Sequence, residues 1–224
     1  MSGNKPTKHE VEKYSYLCNA SDFKCPGSKW KKVKSLYCRK KNFDFDARTK
    51  NLLDSKSIFD KLGITFFLTE GAVLGAYRNN DYILWDDDVE LDIFEEVFLE
   101  RYDEICKAFM DESFIVRGKD YKFKSRPGEK FNAYRRGEKI TVRGLFLDPS
   151  YRENEFRLTN VYQYPRKFYE NVGTIDFKGA TFRVPTPIEE YLVYCYGEEW
   201  KTPIKDQVKL KLDGINRGVR RDGR

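Results

Sequence analysis

In the ten residues from Ile83 to Asp92, Ile-Leu-Trp-Asp-Asp-Asp-Val-Glu-Leu-Asp, acidic groups alternate with apolar ones at the period of a β-strand. Successive strand side chains face opposite ways, so the spacing predicts Asp86, Asp88 and Glu90 on one face and Val89, Leu91 and Ile93 on the other. Like charges gathered on one face repel unless a cation neutralises them. Hard divalent cations such as Mg²⁺ or Mn²⁺ take carboxylate oxygens as ligands and usually carry a substrate phosphate in their remaining positions. The face therefore reads as a metal anchor for phosphoryl chemistry, against the alternative of an acidic turn whose polar side is merely solvated.

The residues ahead of this stretch favour the first reading. Ile64 to Leu68 reads as a short buried strand, and Thr69 to Arg78 as a glycine-containing turn opening a helix. A strand-to-helix junction of that kind points backbone N–H groups and the positive end of a helix dipole at whatever sits before it, which suits phosphate. Gly71 and Gly75 would let the backbone approach the phosphate, and Arg78 would add a charge-assisted contact.

The rest of the chain is ordinary for a folded domain: 35% of residues are charged and 16% aromatic over 224 positions, enough for one large core. The expected organisation is a basic N-terminal segment over 1–45 containing a small cysteine-bearing lobe, a catalytic domain over 46–213, and a disordered Arg- and Gly-rich tail over 214–224. Asp46 to Leu62 is expected as a helix capped by Asp46 and ended by Gly63, and Phe94 to Met110 as a second with Val97, Tyr102, Ile105 and Phe109 inward. Strands are expected at Phe114–Arg117, Lys130–Arg135, Lys139–Leu147 and Thr181–Val184, and a last helix at Ile188–Tyr196 packs Tyr191, Leu192 and Cys195. Helices interleaved with strands, several of them consecutive, predict an α/β or α+β fold with a mixed sheet.

The net charge of +6 suits an anionic partner without choosing one. Lys29 to Lys34, followed by Tyr37 and Arg39 to Lys41, interleaves aromatics and cations as some nucleic-acid surfaces do, but reads more simply as a solvated arm; nucleic acid is not the expected partner. No run of about 18 apolar residues is present, so no transmembrane segment is expected. The start, Met1 to His9, lacks an apolar h-region, which leaves a cytoplasmic protein or a lumenal, Golgi-type domain without its anchor.

Gly71-Ala-Val-Leu-Gly-Ala-Tyr-Arg78, a short polar loop, then Ile83-Leu-Trp-Asp-Asp-Asp-Val-Glu90 resembles the signature of the LicD/fukutin-related family. A second stretch is similar to that family's ending: Phe177-Lys178-Gly179, Val184-Pro185, Glu189-Glu190-Tyr191-Leu192, then Tyr196-Gly197-Glu198-Glu199-Trp200 with Pro203. The resemblance covers about Phe45 to Asp213 and implies a nucleotidyltransferase-like mixed sheet flanked by helices. It further implies a metal-dependent phosphotransferase that moves a phosphorylated choline or alditol, such as ribitol phosphate, from a CDP-linked donor onto a glycan acceptor and releases CMP. On that reading Asp86, Asp88 and Glu90 are the catalytic and Mg²⁺- or Mn²⁺-binding carboxylates, while Gly71, Gly75 and Arg78 hold the donor phosphates. The chain departs from the family at Ala72, where members carry Ser or Thr, at Glu90, which replaces Asp, and on a later strand, where Arg143 aligns with an expected Asp and Asp148 is the nearest substitute ligand. Two other classes remain: a metal-dependent glycosyltransferase using a nucleotide-sugar, and a non-catalytic module of this fold that binds glycan or nucleic acid.

Cys18, Cys25 and Cys38 form the remaining constellation. The spacing of the first two is similar to a zinc-binding loop of fukutin-related proteins, which uses four cysteines; three are present here, with His9 as a fourth candidate ligand. Structural Zn²⁺, a disulfide with one spare thiol, and free thiols stay open. Cys106 and Cys195 read as packing residues. Elemental analysis of protein purified without added metal tests the zinc reading: stoichiometric zinc supports it, and a content near zero retires it.

Overall fold

In the computed structural model, residues 43–118, 130–147, 155–158 and 162–203 are described. The cysteine lobe (Cys18, Cys25, Cys38), Asp148 and the 214–224 tail lie outside them. Helix α1 (Phe45–Leu62) leads into β1 (Phe67–Leu68), α2 (Glu70–Asn79) and β2 (Val89–Phe94). Helices α3 (Glu95–Glu100) and α4 (Tyr102–Asp111) follow, then strands β3 (Ile115–Gly118), β4 (Lys130–Arg135) and β5 (Glu138–Leu147). Strands β6 (Glu155–Leu158) and β7 (Tyr162–Pro165), the short α5 (Lys167–Glu170), the hairpin β8 (Gly173–Phe177) and β9 (Ala180–Val184), α6 (Ile188–Tyr196) and a 3₁₀ turn (Glu198–Lys201) complete the described chain.

The main sheet runs β1-β2-β5-β4-β3, with β6 added to β5 and β7 to β6. Only the pairing of β2 with β5 is parallel; the other described pairs are antiparallel, so the sheet is mixed as expected. One face of the central pair is apolar: Val89, Leu91 and Ile93 on β2 and Ile140 and Val142 on β5 are fully buried. Phe98, Tyr102, Ile105 and Phe109 of α3 and α4 belong to the same core, and the Phe98 ring stacks over Phe131 of β4 with centroids 6.3 Å apart.

The helices correct two sequence expectations. The cap of α1 is Asp44, whose side chain accepts the Ala47 N–H at 2.9 Å, rather than Asp46; the Asp44 N–H in turn donates to Glu138 Oε1 at 2.6 Å and ties the helix start to β5. Gly63, at φ 65°, ends α1 as expected. The expected Phe94–Met110 helix is two helices broken at Arg101, whose guanidinium donates to the Leu62 carbonyl at 3.0 Å. The break turns Phe98 inward in place of Val97, and Phe98 fits because Gly144 lies beneath it: a Cβ at 144 would come within 2.9 Å of the ring.

Arg48 joins the layers. It is fully buried, donates twice to Glu138 Oε2 at 2.8 and 3.1 Å, and sends its remaining nitrogen 3.0 Å to the Asp86 carbonyl. Phe43, Phe45 and Tyr82 sheathe its guanidinium at 4.7 to 5.5 Å. Removing one partner of a buried ion pair leaves the other uncompensated, so Arg48→Met is expected to cost about 3–5 kcal/mol in urea unfolding. A double variant with Glu138→Met should recover part of that loss, and a fully additive cycle would show that the pair is not a unit.

Candidate functional site

The strand that the alternation predicts from Ile83 begins only at Val89. Upstream, the Asp86 N–H closes a turn on the Ile83 carbonyl at 3.1 Å, and Arg48 holds the Asp86 carbonyl, so Asp86, Asp87 and Asp88 ride on a loop feeding β2. Leu84 at the turn tip is exposed, whereas Trp85 packs against the core beneath the loop. The alternation of faces survives without the strand: Asp86 and Asp88 are half-buried and Asp87 is exposed.

One carboxylate oxygen from each of Asp86, Asp87 and Asp88 lies within 4.8 Å of the others, so Asp87, rather than Glu90, joins Asp86 and Asp88 in the converging group. Glu90 follows on the strand, and both Asp88 and Asp86 bear on it electrostatically. Burial and then the Asp88 charge push the Asp86 carboxyl up to about 7, against the pull of Arg48. Burial first, then Asp88 and Asp86, hold Glu90 well above the ordinary carboxylate range. Glu90 Oε2 is buried with no hydrogen-bond partner.

Strand β5 answers this acidic edge with a polar and basic one, of which sequence reasoning singled out only Arg143. Parallel pairing puts Glu90 beside Thr141 and Asp92 beside Arg143. The Thr141 hydroxyl donates to Asp88 Oδ2 at 2.5 Å, and Lys139 Nζ lies 3.1 Å from the same oxygen and 3.0 Å from Asp87 Oδ2. Arg143 donates to both Asp92 oxygens at 2.7 and 3.1 Å and to the Thr69 hydroxyl at 3.0 Å, and stands 3.9 Å from Glu90 and Glu70. The position aligned with a later-strand carboxylate is therefore a cation committed to its neighbours. No sequence signal announces Lys139-x-Thr141-x-Arg143 until the register of β5 against β2 is known.

The predicted phosphate-binding residues divide. Gly71 sits at the start of α2 directly behind Asp86; a Cβ there would overlap the Asp86 carboxylate. Gly75 faces the loop backbone instead, where a Cβ would meet the Asp81 carbonyl and come within 3.3 Å of the Ile83 nitrogen. Arg78 lies about 10 Å further along the helix than Gly71. Its guanidinium donates to the Trp200 carbonyl at 3.2 Å, so the fold ties it to the 3₁₀ turn and does not bring it to the acidic loop. The start of α2 is itself braced from the C-terminal side: the Glu70 N–H donates to the Tyr191 hydroxyl at 3.1 Å, and the Tyr164 hydroxyl donates to Glu70 Oε1.

The described fold is a mixed sheet flanked by helices, with the start of α2 packed against the Asp86 carboxylate just ahead of strand β2. Residues 63–187 match the family described as LicD/FKTN/FKRP, nucleotidyltransferase domain, and the chain belongs to that family. Among solved structures it is similar to the antibiotic-resistance factor ANT(2'')-Ia in solution, at 14% identity over 74% of this chain and 82% of that one, with a TM-score of 0.45. It is also similar to the crystal structure of ANT(2'')-Ia in complex with adenylyl-2''-tobramycin, at 13% identity over 72% and 83% of the two chains, with a TM-score of 0.43. No curated protein matches the sequence significantly.

The Asp86 carboxyl sets a pH dependence. A group whose pKa rises on folding from the ordinary 3.8 to about 7 stabilises the folded chain below the lower value, and that contribution is lost as pH rises through the upper one. In metal-free protein, Asp86→Asn is expected to grow more stable relative to wild type as pH is raised from about 4 towards about 7. Urea melts across that range check it, and a constant difference between the two proteins would count against the assignment.

Proposed function

We propose that the protein is a metal-dependent phosphotransferase that moves a phosphorylated choline or alditol from a CDP-linked donor to a glycan hydroxyl, with release of CMP. The observation that carries the reading is the cluster of Asp86, Asp87 and Asp88 set against Gly71 at the start of α2, in a chain of the LicD family. The side chains suit a hard divalent cation: the donors are all carboxylate oxygens, they converge within 4.8 Å, and Glu90 offers a buried oxygen that lacks a partner. Asp86, Asp88 and Glu90 would hold Mg²⁺ or Mn²⁺, with Asp87 at the rim; Asp148, the substitute ligand expected from the later strand, lies outside the described residues. The cation would supply charge neutralisation at the donor's phosphates.

The chain's own groups supply position and proton handling. Gly71, having no Cβ, lets the Asp86 carboxylate pack against the start of α2. Among the carboxylates, Asp86 is the one we assign to take the proton of the attacking acceptor hydroxyl. Thr141 fixes the Asp88 carboxylate by its hydrogen bond, and Arg48 fixes the loop that carries Asp86. Gly75 and Arg78 hold the helix in place within this reading: one by close packing on the 81–83 loop, the other by its bond to Trp200. A structural zinc in the Cys18, Cys25 and Cys38 lobe belongs to the same proposal but takes no part in the chemistry.

The test is release of CMP from a panel of CDP-choline, CDP-ribitol and CDP-glycerol in the presence of Mn²⁺ and a glycan mixture, alongside thermal shifts with the same donors and with UDP-sugars. Stabilisation by CDP compounds only with metal, and a loss of at least about 100-fold in turnover in Asp88→Ala, are expected. A UDP-sugar or an oligonucleotide as the only stabilising compound would sink the assignment.

A further inference from the structure

Among the described residues, three cations stand around the acidic loop, and two are fully committed. Arg48 is buried against Glu138 and the Asp86 carbonyl, and Arg143 is locked onto Asp92. Lys139 differs. Its side chain is 20% exposed, it springs from the second residue of β5, and its ammonium bridges Asp87, which is 70% exposed, and Asp88.

That bridge places Lys139 on an oxygen the proposed cation needs. Asp88 Oδ2 already accepts from Thr141 at 2.5 Å and lies 3.1 Å from Lys139 Nζ. A carboxylate oxygen so engaged has little room for a divalent ion as well, and an ammonium about 3 Å from that oxygen would repel the ion. Lysine is a compact charge on a flexible four-carbon stem, so it can leave Asp88 by rotating its side chain while β5 stays in place. An ammonium displaced from Asp88 keeps Asp87 within reach and gains a second destination, the anion that the cation brings with it.

We propose that Lys139 is a donor-binding residue that exchanges partners: it neutralises Asp87 and Asp88 in the empty site and moves onto a donor phosphate when the divalent cation takes Asp88. The inference rests on the reading of the site as a cation-dependent nucleotide-donor site. It makes Lys139 a competitor of the metal and an ally of the nucleotide, two effects of opposite sign that a purely structural lysine would not produce together.

The experiment measures Mn²⁺ binding by the loss of the free-ion EPR signal, then CDP binding by calorimetry at saturating Mn²⁺, for wild type, Lys139→Met and Lys139→Arg. Lys139→Met is expected to bind Mn²⁺ about 5-fold more tightly and CDP about 10-fold more weakly, the scale of one partly exposed ion pair and one charge-assisted phosphate contact. Lys139→Arg, which keeps the charge, should stay close to wild type in both and guards against misfolding as the cause. Mn²⁺ binding that is unchanged or weaker in Lys139→Met overturns the exchange, as does unchanged CDP binding. Wild-type protein that binds no Mn²⁺ overturns the cation-dependent reading beneath it, a failure distinct from that of Lys139.

Discussion

Mutual repulsion among carboxylates is the constraint around which this domain is built. Asp86, Asp88 and Glu90 are held close together and partly out of water, Asp92 and Glu70 lie just below them, and every one of these charges costs free energy to desolvate beside its neighbours. The protein offsets that cost with cations delivered from other elements. Lys139 and Arg143 come from β5 and pair with the acids, while Arg48 comes from α1, bonds the Asp86 main-chain carbonyl and acts on its carboxylate through space. Without the β2–β5 pairing, the only parallel one described, the acidic edge would have no basic edge beside it.

The deeper half of this arrangement is closed into a hydrogen-bonded network and the shallower half is not. Arg143, Asp92, Thr69 and Glu70 form a buried network under the start of α2, and the hydroxyls of Tyr164 and Tyr191 tie that network to β7 and α6. The C-terminal motif containing Tyr191 thus contributes a brace to the helix that faces the acids. Above it, Glu90 keeps a buried oxygen with no hydrogen-bond partner, and burial beside Asp88 pushes the Asp86 carboxyl up to about 7.

Local patterns were read well where one interaction decides them. The left-handed stop at Gly63, the span of β4 and the apolar face of α6 follow from a glycine, a strand period and a helical stripe, and the structure has all three. Expectations failed where a distant partner intervened. Asp44 outcompetes Asp46 as the cap because Glu138, 94 residues away, holds the Asp44 N–H. The α3–α4 break follows from Arg101 reaching the Leu62 carbonyl and Phe98 settling over Gly144. Strands β6, β7 and β8 alternate polar and apolar residues over only four or five positions, too short a run to stand out in the sequence, and pairing with their neighbours defines them.

By itself the sequence determined the mixed α/β class, the family, the acidic loop and the glycine behind it, because these depend on residue type and short spacing. Only the tertiary structure decided which charges the acids meet. Whether a lysine, a threonine or an arginine stands beside Asp88, Glu90 and Asp92 is a matter of strand register, and a shift of one residue would have turned Lys139, Thr141 and Arg143 to the opposite face. It also decided that Arg78, adjacent to the motif in sequence, belongs to Trp200, because a helix carries a residue seven positions on about 10 Å away from where it began.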